Sequence, residues 1–189
     1  MAVNSLMVEL GTPAPEFSLP SVTTGEDVSL GTFAGTPALL VVFLSNHCPY
    51  VRHIESGFAE FAASFQEQGL AVVAISANDV INYPEDSPER LVDQIKRAGF
   101  TFPYLYDESQ QVARSYRAAC TPDFFLYDAA RRLAYRGQFD DARPKSTVEV
   151  TGASLRVAVD SVLKGEAVPE PHHPSIGCSI KWRPGNEPE

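Results

Sequence analysis

Positive charge is scarce in this chain: 15 Lys and Arg stand against 24 Asp and Glu, for a formal charge of -9, and no long basic run is present. Such a surface repels a phosphate backbone, which counts against general nucleic-acid binding. Long apolar runs are missing too. The longest, Ala38 to Leu44, falls far short of the ~20 residues of a membrane-spanning helix. Met1 to Leu10 lacks a basic start followed by an apolar signal segment. The expectation is a cytoplasmic protein without a membrane partner. Cysteine is sparse as well. Cys48, Cys120 and Cys178 are too few and too widely spaced for a disulfide-stapled secreted scaffold. They still allow one functional pair, against the plain alternative that each is a small buried apolar residue.

What is present fits one domain. The 189 residues are 44% apolar and 21% charged, ordinary for a globular chain and enough to bury a core. Pro13, Pro15 and Pro20, around Phe17 and Leu19, make Leu10 to Pro20 an extended opening segment. A short strand at Val28 to Leu30 is expected to pair with it. Ala38 to Leu44 is continuously apolar and rich in branched residues, the pattern of a strand buried on both faces.

From Pro49 to Gln68 the pattern turns helical, with Ile54, Phe58, Phe61 and Phe65 on one face and Gly69 as the stop. A second buried strand at Leu70 to Ser76 completes a strand–helix–strand crossover of a parallel sheet. Ser87 and Pro88 open a helix that runs to Ala98 and stops at Gly99. A short helix is expected over Gln110 to Tyr116, and Phe124 to Tyr127 with Leu133 to Gly137 read as a hairpin around a polar turn. Leu155, Val159, Val162 and Leu163 mark a last helix ending at Gly165. The domain is therefore placed at residues 1–165, with a Pro-rich tail, 166–189, docking on it. Within the tail, Pro169 to Pro174 is a linker, and Ser175 to Trp182 alternates as a docked strand would.

Cys48 stands just past the carboxyl end of a buried strand and opens a helix. In open α/β sheets that crevice is the favoured place for chemistry, and helix-start amides stabilise a thiolate. His47, His53 and Arg52 add possible positive charge, against the plain reading that they are solvated surface groups.

These residues resemble a known group. Gly11-Thr12-Pro13-Ala14-Pro15-Glu16-Phe17-Ser18-Leu19 resembles the opening of the peroxiredoxin (AhpC/TSA) and TlpA-like redoxin families, and Val42 to Val51 resembles their active-site strand and loop. Cys120-Thr121-Pro122-Asp123-Phe124 resembles the segment around the thioredoxin-fold cis-proline. The chain is similar to redoxin-domain proteins carrying Asn-His-Cys-Pro-Tyr-Val and a terminal Ser-Ile-Gly-Cys motif. The resemblance implies a thioredoxin-like α/β fold, with a central mixed sheet flanked by helices, an N-terminal extension and a C-terminal tail. It also implies a cis Pro122 beside Cys48, with Cys120 nearby.

Departures from those families bear on mechanism. The second thioredoxin cysteine is replaced by Val51, and the buried acid of the preceding strand by Val42. Ser45 matches the hydroxyl that peroxiredoxins carry three residues before their cysteine, but Val41 stands where they have proline, and their arginine is missing near Pro122. Arg143 is a possible substitute, or else an ordinary salt-bridge partner of Asp140 or Asp141.

The leading expectation is a thiol oxidoreductase that needs no cofactor. Cys48 attacks a protein disulfide, a small-molecule disulfide or a hydroperoxide, and a second cysteine resolves the adduct before a thioredoxin-type thiol reductant restores it. Cys178 is preferred over Cys120 for resolution, because a tail has more freedom to reach the ~4.4 to 6.8 Å Cα separation of a disulfide. Disulfide exchange is slightly favoured over peroxide reduction. Two alternatives stand beside it: copper or zinc handling through Cys48, His53, Cys178 and His172 or His173, and a binding module without turnover. Oligomeric state is left open.

Overall fold

The computed structural model describes residues 1–188. Along the chain, β1 (Ala2–Asn4) precedes the hairpin of β2 (Ser18–Pro20) and β3 (Asp27–Ser29), and a 3-10 turn, Leu30–Phe33, leads to β4 (Ala38–Phe43). Helix α1 (Pro49–Gln66) and strand β5 (Leu70–Ser76) follow. A 3-10 turn, Pro84–Asp86, then introduces α2 (Pro88–Ala98), β6 (Tyr104–Tyr106) and α3 (Gln111–Ser115). The last elements are β7 (Cys120–Thr121), β8 (Asp123–Tyr127), β9 (Leu133–Gly137), α4 (Ala153–Leu163) and β10 (Ile176–Ser179).

The central sheet has the order β6-β5-β4-β8-β9, with β6, β5 and β4 parallel and β8 and β9 antiparallel. This is the mixed sheet expected. Because β4 lies at its centre, both faces of its apolar run are used. Leu40 and Val42 pack toward Ile54, Phe58, Phe61 and Leu155 of α1 and α4. Leu39, Val41 and Phe43 pack toward Phe17, Leu30, Phe33 and Ala113 on the other face. Phe58 anchors the first layer, meeting Phe102, Phe124 and Phe139 edge-on at 5.5 to 5.8 Å, contacts worth about 0.5–1.5 kcal/mol each beyond area burial. Crossover helix α1 thus pins its own N-terminus, and Cys48, over the carboxyl end of β4.

A second sheet, β1-β10-β7, is antiparallel throughout and joins both chain ends to the segment before Pro122. Its register puts Cys178 opposite Ala2 on one side and opposite Thr121 on the other. Gly177 makes the approach possible, since a Cβ there would sit 2.0 Å from the Thr121 carbonyl oxygen. Ser175 adds two bonds, its Oγ donating to the Pro122 carbonyl and its amide to Ser5 Oγ (2.7 and 2.8 Å). Cys178 is therefore held in a paired strand rather than on a loose tail. β1, β6 and β7 carried no sequence signal, being two or three residues long, below the length at which period-two alternation is readable.

Candidate active site

Cys48 is the N-cap residue of α1, in extended backbone (φ -69°, ψ 122°), with Pro49 in the first helical position. Proline suits that place because its missing N–H has no partner there and its φ is already helical. The first helical bond runs from the Arg52 amide to the Cys48 carbonyl at 2.9 Å.

The turn between β4 and Cys48 is held by a buried carboxylate that sequence reading missed. Asp86 is fully buried. Its Oδ1 accepts from the Asn46 and His47 amides (2.6 and 3.2 Å), and its Oδ2 accepts from Ser45 Oγ and Asn78 Nδ2 (2.9 and 2.6 Å). His47 Nδ1 lies 2.9 Å from Oδ2 and its ring stacks on Tyr83. Burial works to raise the Asp86 carboxyl, but hydrogen bonds from His47, Asn78 and Ser45 and the His47 charge outweigh it and hold it below its ordinary value. Ser45 and His47 therefore face Asp86. Arg52 bonds the Asn46 carbonyl (2.6 Å), and His53 Nε2 is buried without a hydrogen-bond partner.

The Cys48 thiol is fully buried and donates to the Thr121 carbonyl at 3.1 Å. The Thr121–Pro122 peptide bond is cis, as the resemblance implied. Cys178, directly across from Thr121, packs against the same cluster as Cys48. Burial, then the hydrogen bond and charge of Cys48, push the Cys178 thiol up to about 11, while Lys181 and the N-terminal amine pull the other way.

Cys120 is buried, with its thiol directed to the Pro122 carbonyl at 3.5 Å. Burial, followed by the Asp123 charge, pushes it far above the ordinary thiol range. Asp123 is itself a find of the structure. It is fully buried on β8, opposite Phe43 of β4. Its Oδ2 accepts from the Ala119 amide (3.0 Å) while its Oδ1 has no partner, and burial pushes it up to about 7. A buried acid thus exists on the strand next to the one where Val42 replaces it.

Arg143 forms no ion pair with Asp140 or Asp141; it donates to the Asp140 and Ala142 carbonyls (2.7 Å each) and to Gln138 Oε1 (2.6 Å). The loop curls back on itself, so carbonyls rather than carboxylates meet the guanidinium, which lines a cleft with Tyr50, Pro122 and Ile176. Among the described residues no three His, Cys, Asp or Glu side chains are gathered as metal ligands. His172 instead meets Arg136 (2.7 Å) and Tyr135.

A family model described as AhpC/TSA family matches residues 10–136, running from before β2 into β9 and taking in the whole Cys48 turn. The chain belongs to the AhpC/TSA family. Two curated Mycobacterium tuberculosis proteins with peroxiredoxin in their names are 30% identical over 108 residues, 57% of this chain and 63% of theirs, so the match spans less than two thirds of their length. Among solved structures, an uncharacterized conserved protein from Geobacillus kaustophilus is 46% identical, covers 98% of both chains and superposes with a TM-score of 0.95. A hypothetical protein from Sinorhizobium meliloti 1021 is 54% identical over 96% of this chain and 99% of its own, with a TM-score of 0.94. A Chlorobium tepidum structure named for the thiol:disulfide interchange protein DsbE, 20% identical over 82% of this chain and 98% of its own (TM-score 0.66), shows the shared thioredoxin-like fold. This AhpC/TSA chain is thus a thioredoxin-fold redoxin with peroxiredoxin-like relatives. Among the described residues no helix is long and apolar enough to cross a membrane.

Proposed function

We propose that the chain is a thiol–disulfide oxidoreductase in which Cys48 is the nucleophile and Cys178 the resolving thiol, with hydroperoxides as a second class of oxidant. The observation that carries this reading is the placement of Cys178 against Cys48, opposite the Thr121 carbonyl that accepts the Cys48 thiol. In exchange, the Cys48 thiolate attacks one sulfur of a disulfide and expels the other as a thiolate, leaving a mixed disulfide. Cys178 gives up its proton, attacks the Cys48 sulfur, releases the second thiol and forms the Cys48–Cys178 bond. A hydroperoxide instead yields a Cys48 sulfenic acid and an alcohol or water, and Cys178 then displaces water to give the same disulfide. A dithiol of thioredoxin type returns both cysteines to thiols, in keeping with a cytoplasmic setting.

The test oxidises the reduced full chain with one equivalent of hydrogen peroxide or of a small disulfide and maps the bonds by non-reducing peptide mass spectrometry. A Cys48–Cys178 link is expected. A Cys48–Cys120 link, or a lasting Cys48 sulfenic acid with Cys178 still a thiol, overturns the assignment. Full burial of Cys48 favours a second reading, a binding module without turnover; steady consumption of a thiol reductant with either oxidant removes it.

A further inference from the structure

Asp86 collects more donors than a structural turn requires, and its last one leads away from the turn. Four donor groups come from Ser45, Asn46 and His47, and the fifth is Asn78 Nδ2. An ionised carboxylate, which only accepts and carries about four lone-pair sites, is the form that suits this crowd of donors. Asn78 stands two residues beyond β5, is 4% exposed, and spends its other side-chain atom on the tail: its Oδ1 accepts the Lys181 amide at 2.7 Å. The orientation of this amide is forced from both ends. A carboxylate only accepts and a backbone N–H only donates, so a flipped Asn78 would lose both bonds. The next residue repeats the connection, the Asp79 amide donating to the Lys181 carbonyl at 2.8 Å, a carbonyl that also receives Gln110 Nε2 at 2.9 Å. Lys181 lies three residues after Cys178 and donates from Nζ to the Ser179 carbonyl at 2.7 Å.

We propose that the Asp86–Asn78 pair is a positioning bridge that sets Cys48 and Cys178 against one another, tying the turn before Cys48 to the segment after Cys178 through one carboxylate and one amide. The proposal rests on reading those two cysteines as the redox pair. It gives both residues a role in bond formation without contact with substrate. The β10–β7 ladder supplies the register, and the bridge sets how closely the strand end sits over the start of α1. Without it, the turn before Cys48 loses this tie to the segment after Cys178, the strand ladder and the Asp79 and Gln110 bonds to the Lys181 carbonyl hold the tail by themselves, and the effective concentration of the two thiols falls.

The experiment equilibrates the full-length chain with mixtures of reduced and oxidised dithiothreitol. The reaction is balanced: two protein thiols and cyclic dithiothreitol disulfide give the Cys48–Cys178 bond and dithiothreitol dithiol. Asn78→Ala should need about a tenfold higher ratio of oxidised to reduced dithiothreitol for half-oxidation, as about 1.4 kcal/mol lost from the pair would give. Asp86→Asn, which trades an acceptor oxygen for a donor facing Asn78, should shift it in the same direction. An unchanged ratio in Asn78→Ala, even with a lowered melting temperature, assigns the bridge a structural role only and overturns the proposal. Should either variant fail to fold, hydrogen exchange in the unmodified chain decides. The Lys181 amide should stay protected in the disulfide form, and loss of protection on oxidation means the bridge is not kept while the bond exists. If the unmodified chain forms no Cys48–Cys178 bond at any ratio, the oxidoreductase assignment falls with it; if it forms normally and the variants match it, only the bridge falls.

Discussion

Cys120 and Cys178 lie on neighbouring strands one residue out of register, and that single step separates their chemistry. Cys178 pairs with Thr121, and Cys120 pairs with Ser179. Directly opposed residues of an antiparallel ladder share a face, and successive residues point to opposite faces. The two thiols therefore look away from each other across a two-residue ladder. Cys178 is half-buried, packed on the cluster that holds Cys48, with Lys181 nearby. Cys120 is fully buried, turned to the Pro122 carbonyl and faced by the charge of Asp123. Closeness in the chain to the cis-proline thus does not by itself bring a thiol to the cluster around Cys48, whereas strand register does.

The sharpest way to break this comparison is to remove each thiol in turn. Cys178→Ser should abolish the intramolecular disulfide and lower turnover at least about a hundredfold, leaving a Cys48 adduct that a sulfenic-acid reagent or a mixed-disulfide mass shift detects. Cys120→Ser should leave the Cys48–Cys178 link and turnover within about twofold. If the two variants exchange behaviours, the register argument is wrong. A smaller effect follows from the contact that brings β10 to β7. Gly177→Ala places a methyl group 2.0 Å from the Thr121 carbonyl oxygen. Overpacking against backbone should cost about 3 kcal/mol, read as a lowered denaturation midpoint, together with faster alkylation of Cys48 as the strand lifts.

The smallest effect concerns the acid beside Cys120. Asp123 ionises near its ordinary 3.8 when unfolded but at about 7 in the folded chain. Its folded value is raised, so the stability it contributes is fully present below pH ~4 and is lost as pH rises through about 7. Asp123→Asn, which mimics the protonated acid, should flatten the pH dependence of the denaturant midpoint between pH 4 and 7. It should also leave the variant more stable than the parent at pH 8. A parent chain as stable at pH 8 as at pH 4.5 speaks against a buried acid of this kind. Because only the Cys120 side is touched, the Cys48–Cys178 bond should form as before.

Much of this architecture was legible in the residues. The apolar run of β4, the one-sided phenylalanines of α1, the run Leu70 to Ser76 and the Ser87-Pro88 start with its Gly99 stop all read correctly, because they are local patterns of period and punctuation. The start of α1 marked Cys48 for the same reason. Asp86 and Asn78 escaped, although a faint signal existed: Asn78-Asp79 stands at the carboxyl end of a second parallel strand, where the crevice rule applies as it does to Cys48. Asp86, between Pro84 and Pro88, read as part of a loop, since nothing local tells a buried carboxylate from a solvated one.

What the sequence determined by itself was therefore the set of elements, the layering of the core and the exposure of one thiol to a helix start, all consequences of burial periodicity and backbone preference within some twenty residues. Only the tertiary structure decided which second cysteine joins the cluster around Cys48, where Arg143 points, and that one buried carboxylate gathers the turn before Cys48. Those outcomes depend on strand register and on the desolvation of charges brought together from distant parts of the chain, and neither quantity is encoded in any local stretch of residues.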